Sequence, residues 1–447
     1  MTARLTNDEA VERALAGLGG RAGEVFLRES TSGSVEVRDG ELETLTSHGE
    51  RGLSILVLDE ARAGHASTSD LTPAGIAACA EAAAAMARVT EADGDLSLAS
   101  EPLAPVDLAI HEDGVAARPV TDRVAVALAV ERAARAVDPR ISGFRKTSYG
   151  DGDVTTVFAS TRGARGSYRE THFSVGTSAM ATAGAERQIG YAGAATRRFA
   201  GLDPVAVGRR AAQVALGKLG ARPFGTQRIA VLLDPWQGMA LLGAIGQLFS
   251  ADAVLKGKSL FAGKVGARVA SALVTLTDDA RLPGGVRTAP FDGEGTATTA
   301  RTLVRDGVLE GYLTDRKTAR RLGIAPGGSA RRGGYATPAR IGTSNLALAA
   351  GTGDPAALAR SVDRALRITS LLNLHTIDPI SGEFSLGATG DVLERGEKTQ
   401  AVRGITIAGN LTTLLSSIVA LGSDLTWGPG GIGSPTLLIG ELSVGGT

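Results

Sequence analysis

The histidines are the first residues to ask for chemistry, and there are five: His48, His65, His111, His172 and His375. No two stand three to five residues apart, so no local pair of imidazoles is spaced to share a metal ion. His111-Glu112 opens like a His-Glu-x-x-His helix, but Asp113-Gly114-Val115-Ala116-Ala117 follows without a second histidine. His111 therefore reads as a solvated loop residue. His375, in Leu374-His375-Thr376-Ile377-Asp378-Pro379, reads as a polar residue satisfying a backbone partner rather than as a base. The one cysteine, Cys79, excludes an internal disulfide and any cysteine-rich metal site. Set in Ile76-Ala77-Ala78-Cys79-Ala80, it reads as a small core residue. No Gly-x-Ser-x-Gly element sits at a strand-to-helix turn, and the glycine-rich stretch 323–334 lacks the Gly-Lys-Ser/Thr ending of a phosphate loop.

Carboxylates remain. Phe291-Asp292-Gly293-Glu294-Gly295 carries two of them two residues apart. On a strand Asp292 and Glu294 would share a face and could work as an acid and a base. In a turn they would be no more than an acidic link between strands. The residues alone favour the turn, and no complete active site is spelled out.

The elements that must position these groups follow from composition and pattern. At 447 residues the chain exceeds what one hydrophobic core organises, so two or three domains are expected. Lys and Arg number 47, as do Asp and Glu, which gives no electrostatic reason to favour nucleic acid or an anionic membrane as partner. No run approaches the ~18 apolar residues that cross a bilayer, and residues 1–8 lack the apolar core of a secretion signal. A cytoplasmic protein is expected. Sixty glycines against 4% aromatics point to a sheet-rich chain with many turns and close backbone approaches.

The fold class expected is α+β, with N-terminal sheet-on-helix subdomains followed by a sheet-rich C-terminal domain. Its units are 1–98, 107–220 and 224–447. The first has a helix capped by Asn7 or Asp8, strands at 24–29, 34–38, 42–46 and 53–58, a hairpin turn at Asp39-Gly40, and an alanine-rich helix over 73–89. The second has a helix near 121–137, strands at 155–160, 166–181 and 188–197, and a helix opened by Asp203-Pro204. The third starts with a strand at 228–233 and a helix opened by Asp234-Pro235. A further helix is expected over 354–370, and residues 327–334 should form a mobile loop. Leu411, Leu414, Leu415, Ile418 and Val419 make a stripe at helical spacing that could face either core or a partner.

The C-terminal half resembles the TldD/PmbA family of metallopeptidases. The resemblance rests on Asp278-Asp279 with Leu282-Pro283-Gly284-Gly285, on Phe291-Asp292-Gly293-Glu294-Gly295, and on Gly307-Val308-Leu309 with Tyr312-Leu313. It continues through Ser381-Gly382-Glu383-Phe384-Ser385, Gly404-Ile405-Thr406-Ile407-Ala408-Gly409-Asn410-Leu411 and Gly433-Ser434-Pro435-Thr436. Their order over about 220 residues is the specific signal, and the N-terminal half fits more loosely. In that family the TldD-type subunit carries a helix His-Glu-Ala-x-Gly-His and a C-terminal Cys. The resemblance implies that two His and the Cys hold zinc and the Glu acts as base for a zinc-bound water.

Here Leu242-Gly243-Ala244-Ile245-Gly246-Gln247 stands over that helix motif, and Thr426-Trp427-Gly428-Pro429-Gly430-Gly431 has no Cys. Leu242, Gly243 and Gln247 are degenerate-site positions, so the resemblance implies no catalytic and no metal-binding residue in this chain. It is similar to the PmbA, or TldE, type of subunit. No cofactor is expected in it, zinc belonging to a TldD-type partner in a heterodimer that cleaves unfolded peptides, in maturation of ribosomal peptides or a natural-product pathway. Asp292, Glu294, Arg331 and Arg332 are expected as substrate-chamber or framework residues. Two alternatives stay open: a metal-free hydrolase acting alone through Asp292 and Glu294, or a stand-alone peptide-binding protein.

Overall fold

The computed structural model describes residues 5–446, and they form the expected mixture of helices and sheets. An antiparallel sheet of six strands takes up most of the N-terminal half. Its strands are β1 (Ala22–Arg38), β2 (Glu41–Asp59), β3 (Arg62–Thr68), β4 (Ile141–Ser160), β5 (Arg165–Ala183) and β6 (Glu186–Thr196), in the order β3-β2-β1-β4-β5-β6. The short runs expected at 24–29 and 34–38 are one strand, and those at 42–46 and 53–58 another. Asp39 and Gly40 turn between them, both at positive φ, as an Asp-Gly hairpin requires. One sheet thus runs through both N-terminal units.

Four helices cover this sheet: α1 (Asn7–Gly17), α2 (Pro73–Val89), α3 (Val120–Arg135) and α4 (Pro204–Gly217). The cap of α1 is Thr6, not Asn7 or Asp8, because Glu9 stands three residues on and closes a capping box with it. Asp203 caps α4 as expected, accepting from the Ala206 N–H. The excess of glycine and alanine has a structural reason. A Cβ at Gly64 would stand 1.9 Å from the Ala83 carbonyl oxygen of α2, and one at Gly190 would stand 2.2 Å from that of Ala211 in α4. Helix backbone lies directly on strand backbone at both places. Cys79 is buried in the α2 layer, and burial pushes its thiol up to about 11, as an inert core residue should have it.

The C-terminal half opens with β7 (Gln227–Leu233) and α5 (Pro235–Ile245), whose N-cap is Asp234. β7 is central in a sheet that also holds strands Arg364–Leu372, Glu383–Glu394, Glu397–Asn410, Leu437–Gly445 and Ile418–Leu421. A second sheet contains Leu276–Asp279, Ala300–Arg305, Leu346–Leu348 and Ile432–Ser434. A continuous apolar core joins the two, drawing on α5, both sheets and the helix Leu411–Ser416.

Two expectations fail here, and one left open is decided. Residues 354–370 are not one helix. A helix Pro355–Arg360 gives way to strand Arg364–Leu372, because Ala365, Leu366 and Ile368 are fully buried in a strand paired parallel to β7. Residues 327–334 are not a loose loop. Ala330–Arg331 pairs with Arg340–Ile341, Ser329 and Ala330 are buried, and Gly328 packs on the backbone of Ala297 and Thr298. The stripe from Leu411 divides: Leu411, Leu414, Leu415 and Ile418 are core, while Val419 is exposed. No helix among the described residues is long and apolar enough to cross a membrane.

Candidate functional site

Strand alternation decides what faces the C-terminal half. On β1, Val25 and Leu27 pack into the layer of α1 and α2, so Glu24, Phe26 and Arg28 point the other way. Cross-strand pairing sets Ser54 and Phe158 beside Phe26, Thr156 beside Arg28, and Tyr168 beside Thr156. Phe26 and Phe158 share a small core with Phe291 from the C-terminal half, and Tyr168 meets Phe291 edge-on at 4.9 Å.

Above this aromatic floor opens a cleft of about 330 Å³ between the two halves. Five arginines line it, Arg28, Arg197, Arg287, Arg331 and Arg332, against two carboxylates, Glu170 and Asp292. Arg197 is 6% exposed and fully used: it pairs with Glu170 at 2.8 Å and donates to the carbonyls of Thr171, Gly285 and Thr288. Arg332 donates to the Gly293 carbonyl at 2.7 Å and to Ser54, and lies over the Phe26 ring. Arg28 donates to the Gly333 carbonyl, and Arg287 donates through Nε to that of Gly430. Burial and the neighbouring Arg331 both push the Arg287 guanidinium down.

The acidic motif resolves as a turn. Asp292 Oδ1 accepts from the N–H groups of Glu294 and Thr296, and Oδ2 from that of Ala330 at 3.0 Å. Gly295 sits at φ +71°, where a Cβ would stand 2.1 Å from Phe158. The motif lets the two halves close on one another. Glu294 faces away from the cleft: Oε2 accepts from the Arg316 N–H at 3.0 Å, and Arg316 reaches on to the buried Glu24 at 2.7 Å. Burial is the main force on Glu294 and pushes it up to about 7. Glu24 and Asp292 are also pushed up, again chiefly by burial. Asp292, Arg331 and Arg332 thus line one cleft, while Glu294 belongs to the seam beside it.

The degenerate-site positions lie elsewhere. Leu242 is 4% exposed and packs into the C-terminal core. Gly243 and Gln247 are exposed one turn apart, and Gln247 already stands in a 3₁₀ turn, Gly246–Phe249, at the end of α5. Gln247 edges a second cleft of about 570 Å³ with Asp252, Lys256, Lys258, Asp315 and Arg340. The loop before Ile432–Ser434 does pack on α5: a Cβ at Gly428 would stand 2.8 Å from Met239 Sδ. The donors that Leu242, Gly243 and Gln247 offer do not fit zinc. Leucine and glycine offer no side-chain donor, and one neutral amide is a poor ligand.

Sequence reasoning missed Glu24, Arg28, Tyr168, Glu170, Arg197, Arg287 and Arg316. Their partners are distant in sequence: Arg316 reaches Glu24 across 292 residues, Arg28 reaches Gly333 across 305, and Arg197 reaches Gly285 and Thr288 across 88 and 91. The available signal was the polar residue alternating with apolar ones on strands such as β1.

Family models match three stretches of the chain: the PmbA/TldA metallopeptidase domain 1 over residues 23–87, its central domain over 114–219 and its C-terminal domain over 226–446. Metalloprotease PmbA of Escherichia coli O157:H7 is 29% identical over 94% of this chain and 91% of its own length. A Metalloprotease TldD homolog of Haemophilus influenzae is 26% identical over 95% of this chain and 92% of its own. Among solved structures, a Thermotoga maritima protein described as a proposed modulator of a DNA gyrase aligns with a TM-score of 0.89 at 27% identity, covering 98% of this chain and 100% of that one. TldE from Thermococcus kodakarensis shares the fold, with a TM-score of 0.85 at 20% identity over 98% and 99% of the two chains.

Proposed function

The chain belongs to the PmbA/TldD family of metallopeptidases, and from that premise we propose that it is the metal-free, noncatalytic subunit of a cytoplasmic heterodimer. A TldD-type partner would carry the zinc, and the substrate would be unfolded peptide. The observation that carries this reading is the state of α5. It packs against the loop that starts at Gly428, yet Leu242 is a core residue and neither Gly243 nor Gln247 can replace a thiolate, an imidazole or a general base. The chain's own residues would then supply wall and surface rather than a chemical step. An enzyme working alone through Asp292 and Glu294 is disfavoured, because three backbone amides hold Asp292 and Glu294 faces the Arg316 seam.

The test is to produce this chain with the TldD-type protein of the same cell and pass the mixture over a sizing column. Cleavage of β-casein and zinc content are then measured on each protein and on the complex. A complex is expected in which cleavage needs both chains and the zinc stays with the partner. Full activity of the partner by itself, with no complex on the column, would sink the proposal.

A further inference from the structure

The arginine-lined cleft has one member that the fold does not use. Arg331 stands on the short strand Ala330–Arg331, and its Nε and Nη2 are buried without a hydrogen-bond partner. Those two nitrogens form one edge of the guanidinium, the planar two-donor fork that meets both oxygens of a carboxylate at once. Among the described residues Arg331 forms no ion pair. Asp292 and Asp278 lie close enough for Arg331 to hold their carboxyls down somewhat, but both are spent, Asp292 on three amides and Asp278 on the N–H and hydroxyl of Ser344. Glu170 is spent on Arg197. Leaving a buried guanidinium edge unpaired is costly, so a turn of this edge toward a negative charge in the cleft would be favourable.

We infer that this cleft is a carboxylate-recognition subsite that takes the C-terminal end of an extended peptide. Arg331 lines the cleft and meets the carboxylate by turning its unpartnered guanidinium edge outward. Arg287, whose Nε alone is tied to the Gly430 carbonyl, adds a second positive charge beside it. The floor of Phe26, Tyr168 and Phe291 accepts an apolar side chain from the last residue. Both size and chemistry favour a peptide end: about 330 Å³ is small for a ligand pocket, and a charged fork beside an aromatic floor matches a carboxylate next to an apolar group. A carboxylate can also come from an Asp or Glu side chain, which the experiment must separate. The inference rests on the peptide-handling reading above only for the identity of the ligand.

The test uses the full chain by itself, so it stands apart from whether a zinc-bearing partner exists; failure to form the heterodimer leaves its outcome untouched. Fluorescence anisotropy would follow three fluorescein-labelled peptides: Gly-Ala-Ala-Ala-Leu with a free C-terminus, its C-terminal amide, and the amide of Gly-Ala-Ala-Asp-Leu. The free acid should bind about tenfold tighter than the plain amide or better. Arg331→Met should erase that difference, while Arg331→Lys should keep part of it, since an ammonium supplies charge without the fork. Because Arg331 holds no structural partner through that edge, Arg331→Met should unfold at a temperature no lower than the wild type. If the Asp-containing amide matches the free acid, a side-chain carboxylate is the ligand and the C-terminal assignment is overturned. Equal binding of acid and plain amide, absence of binding by all three, or an acid preference surviving in Arg331→Met overturns the subsite itself.

Discussion

Glu294 offers a quantitative check on the seam between the two halves. Its carboxyl, ordinarily at 4.5, is pushed to about 7 when folded, mainly by burial. The groups facing it are Arg316, which opposes the rise, and Asp292 and Asp315, which add to it. A carboxyl whose folded-state pKa is raised binds its proton more tightly in the folded state. Its contribution to stability is therefore complete below pH 4.5, declines as pH rises, and is gone above about 7, where the buried charge is carried at full cost. At roughly 1.4 kcal/mol per pH unit across that interval, the loss reaches about 3 kcal/mol. Glu294→Gln keeps an acceptor for the Arg316 N–H and cannot ionise, so it should be nearly neutral at pH 5 and stabilising by about 2–3 kcal/mol at pH 8. Urea unfolding at pH 5, 6, 7 and 8, followed by tryptophan fluorescence in both proteins, measures the difference and cancels the titrating groups that do not interact with Glu294. A difference that does not change with pH, or a variant less stable than wild type at pH 8, would refute the reasoning.

Two further predictions follow from the geometry. Gly295→Ala must accept a side chain at φ +71° against the Phe158 ring, and should cost about 2 kcal/mol or more by urea titration; an unchanged midpoint would mean the turn can relax. The combined variant Leu242→His, Gly243→Glu and Gln247→His should not become an efficient peptidase, since the loop at Gly428 still offers no thiolate, and the buried position of Leu242 should cost about 1–3 kcal/mol when it takes an imidazole. Metal-dependent cleavage of β-casein by that variant without a partner, or about one tightly held zinc per wild-type chain by elemental analysis, would contradict the view of α5 given above.

How far the sequence could be read depended on whether a signal was local. Thr72-Pro73 followed by an alanine run marks α2 from end to end, and Asp39-Gly40 marks its hairpin, because capping and positive φ are decided within a few residues. Strand Arg364–Leu372 was mistaken for helix because its fate is set by β7, more than a hundred residues away, where Leu366 and Ile368 find their core. The stretch 327–334 looked loose for the same kind of reason. Its glycines are there for close approach: Gly328 fits against Thr298, and Ala330 is pinned by Asp292. At the site, Asp292, Arg331 and Arg332 were legible as a group only through the family resemblance. Arg197 and Arg287 were not legible at all, since nothing local distinguishes an arginine that will line a cleft from one that will face water.

The motifs that carry the resemblance turn out to hold structure together. Asp292 ties its turn to Ala330, and Gly295 makes room for Phe158. At Gly382, with φ +77°, a Cβ would crowd Leu260, while its carbonyl accepts from Leu411 and the neighbouring Ser381 carbonyl accepts from Asn410 Nδ2. Asp278 spends both oxygens on Ser344 beneath the cleft. The approach of Gly295 to Phe158 joins the N-terminal sheet to the C-terminal half, the other contacts knit the C-terminal half itself, and none of them uses Leu242, Gly243 or Gln247. Changes at Leu242, Gly243 and Gln247 would therefore leave these contacts in place. A side chain at Gly295 would press on Phe158 across the seam, and loss of the Asp292 carboxylate would free the strand that carries Arg331. On the reading proposed for this chain, the shape of a wall with a charged slot in it depends on the seam rather than on the helix.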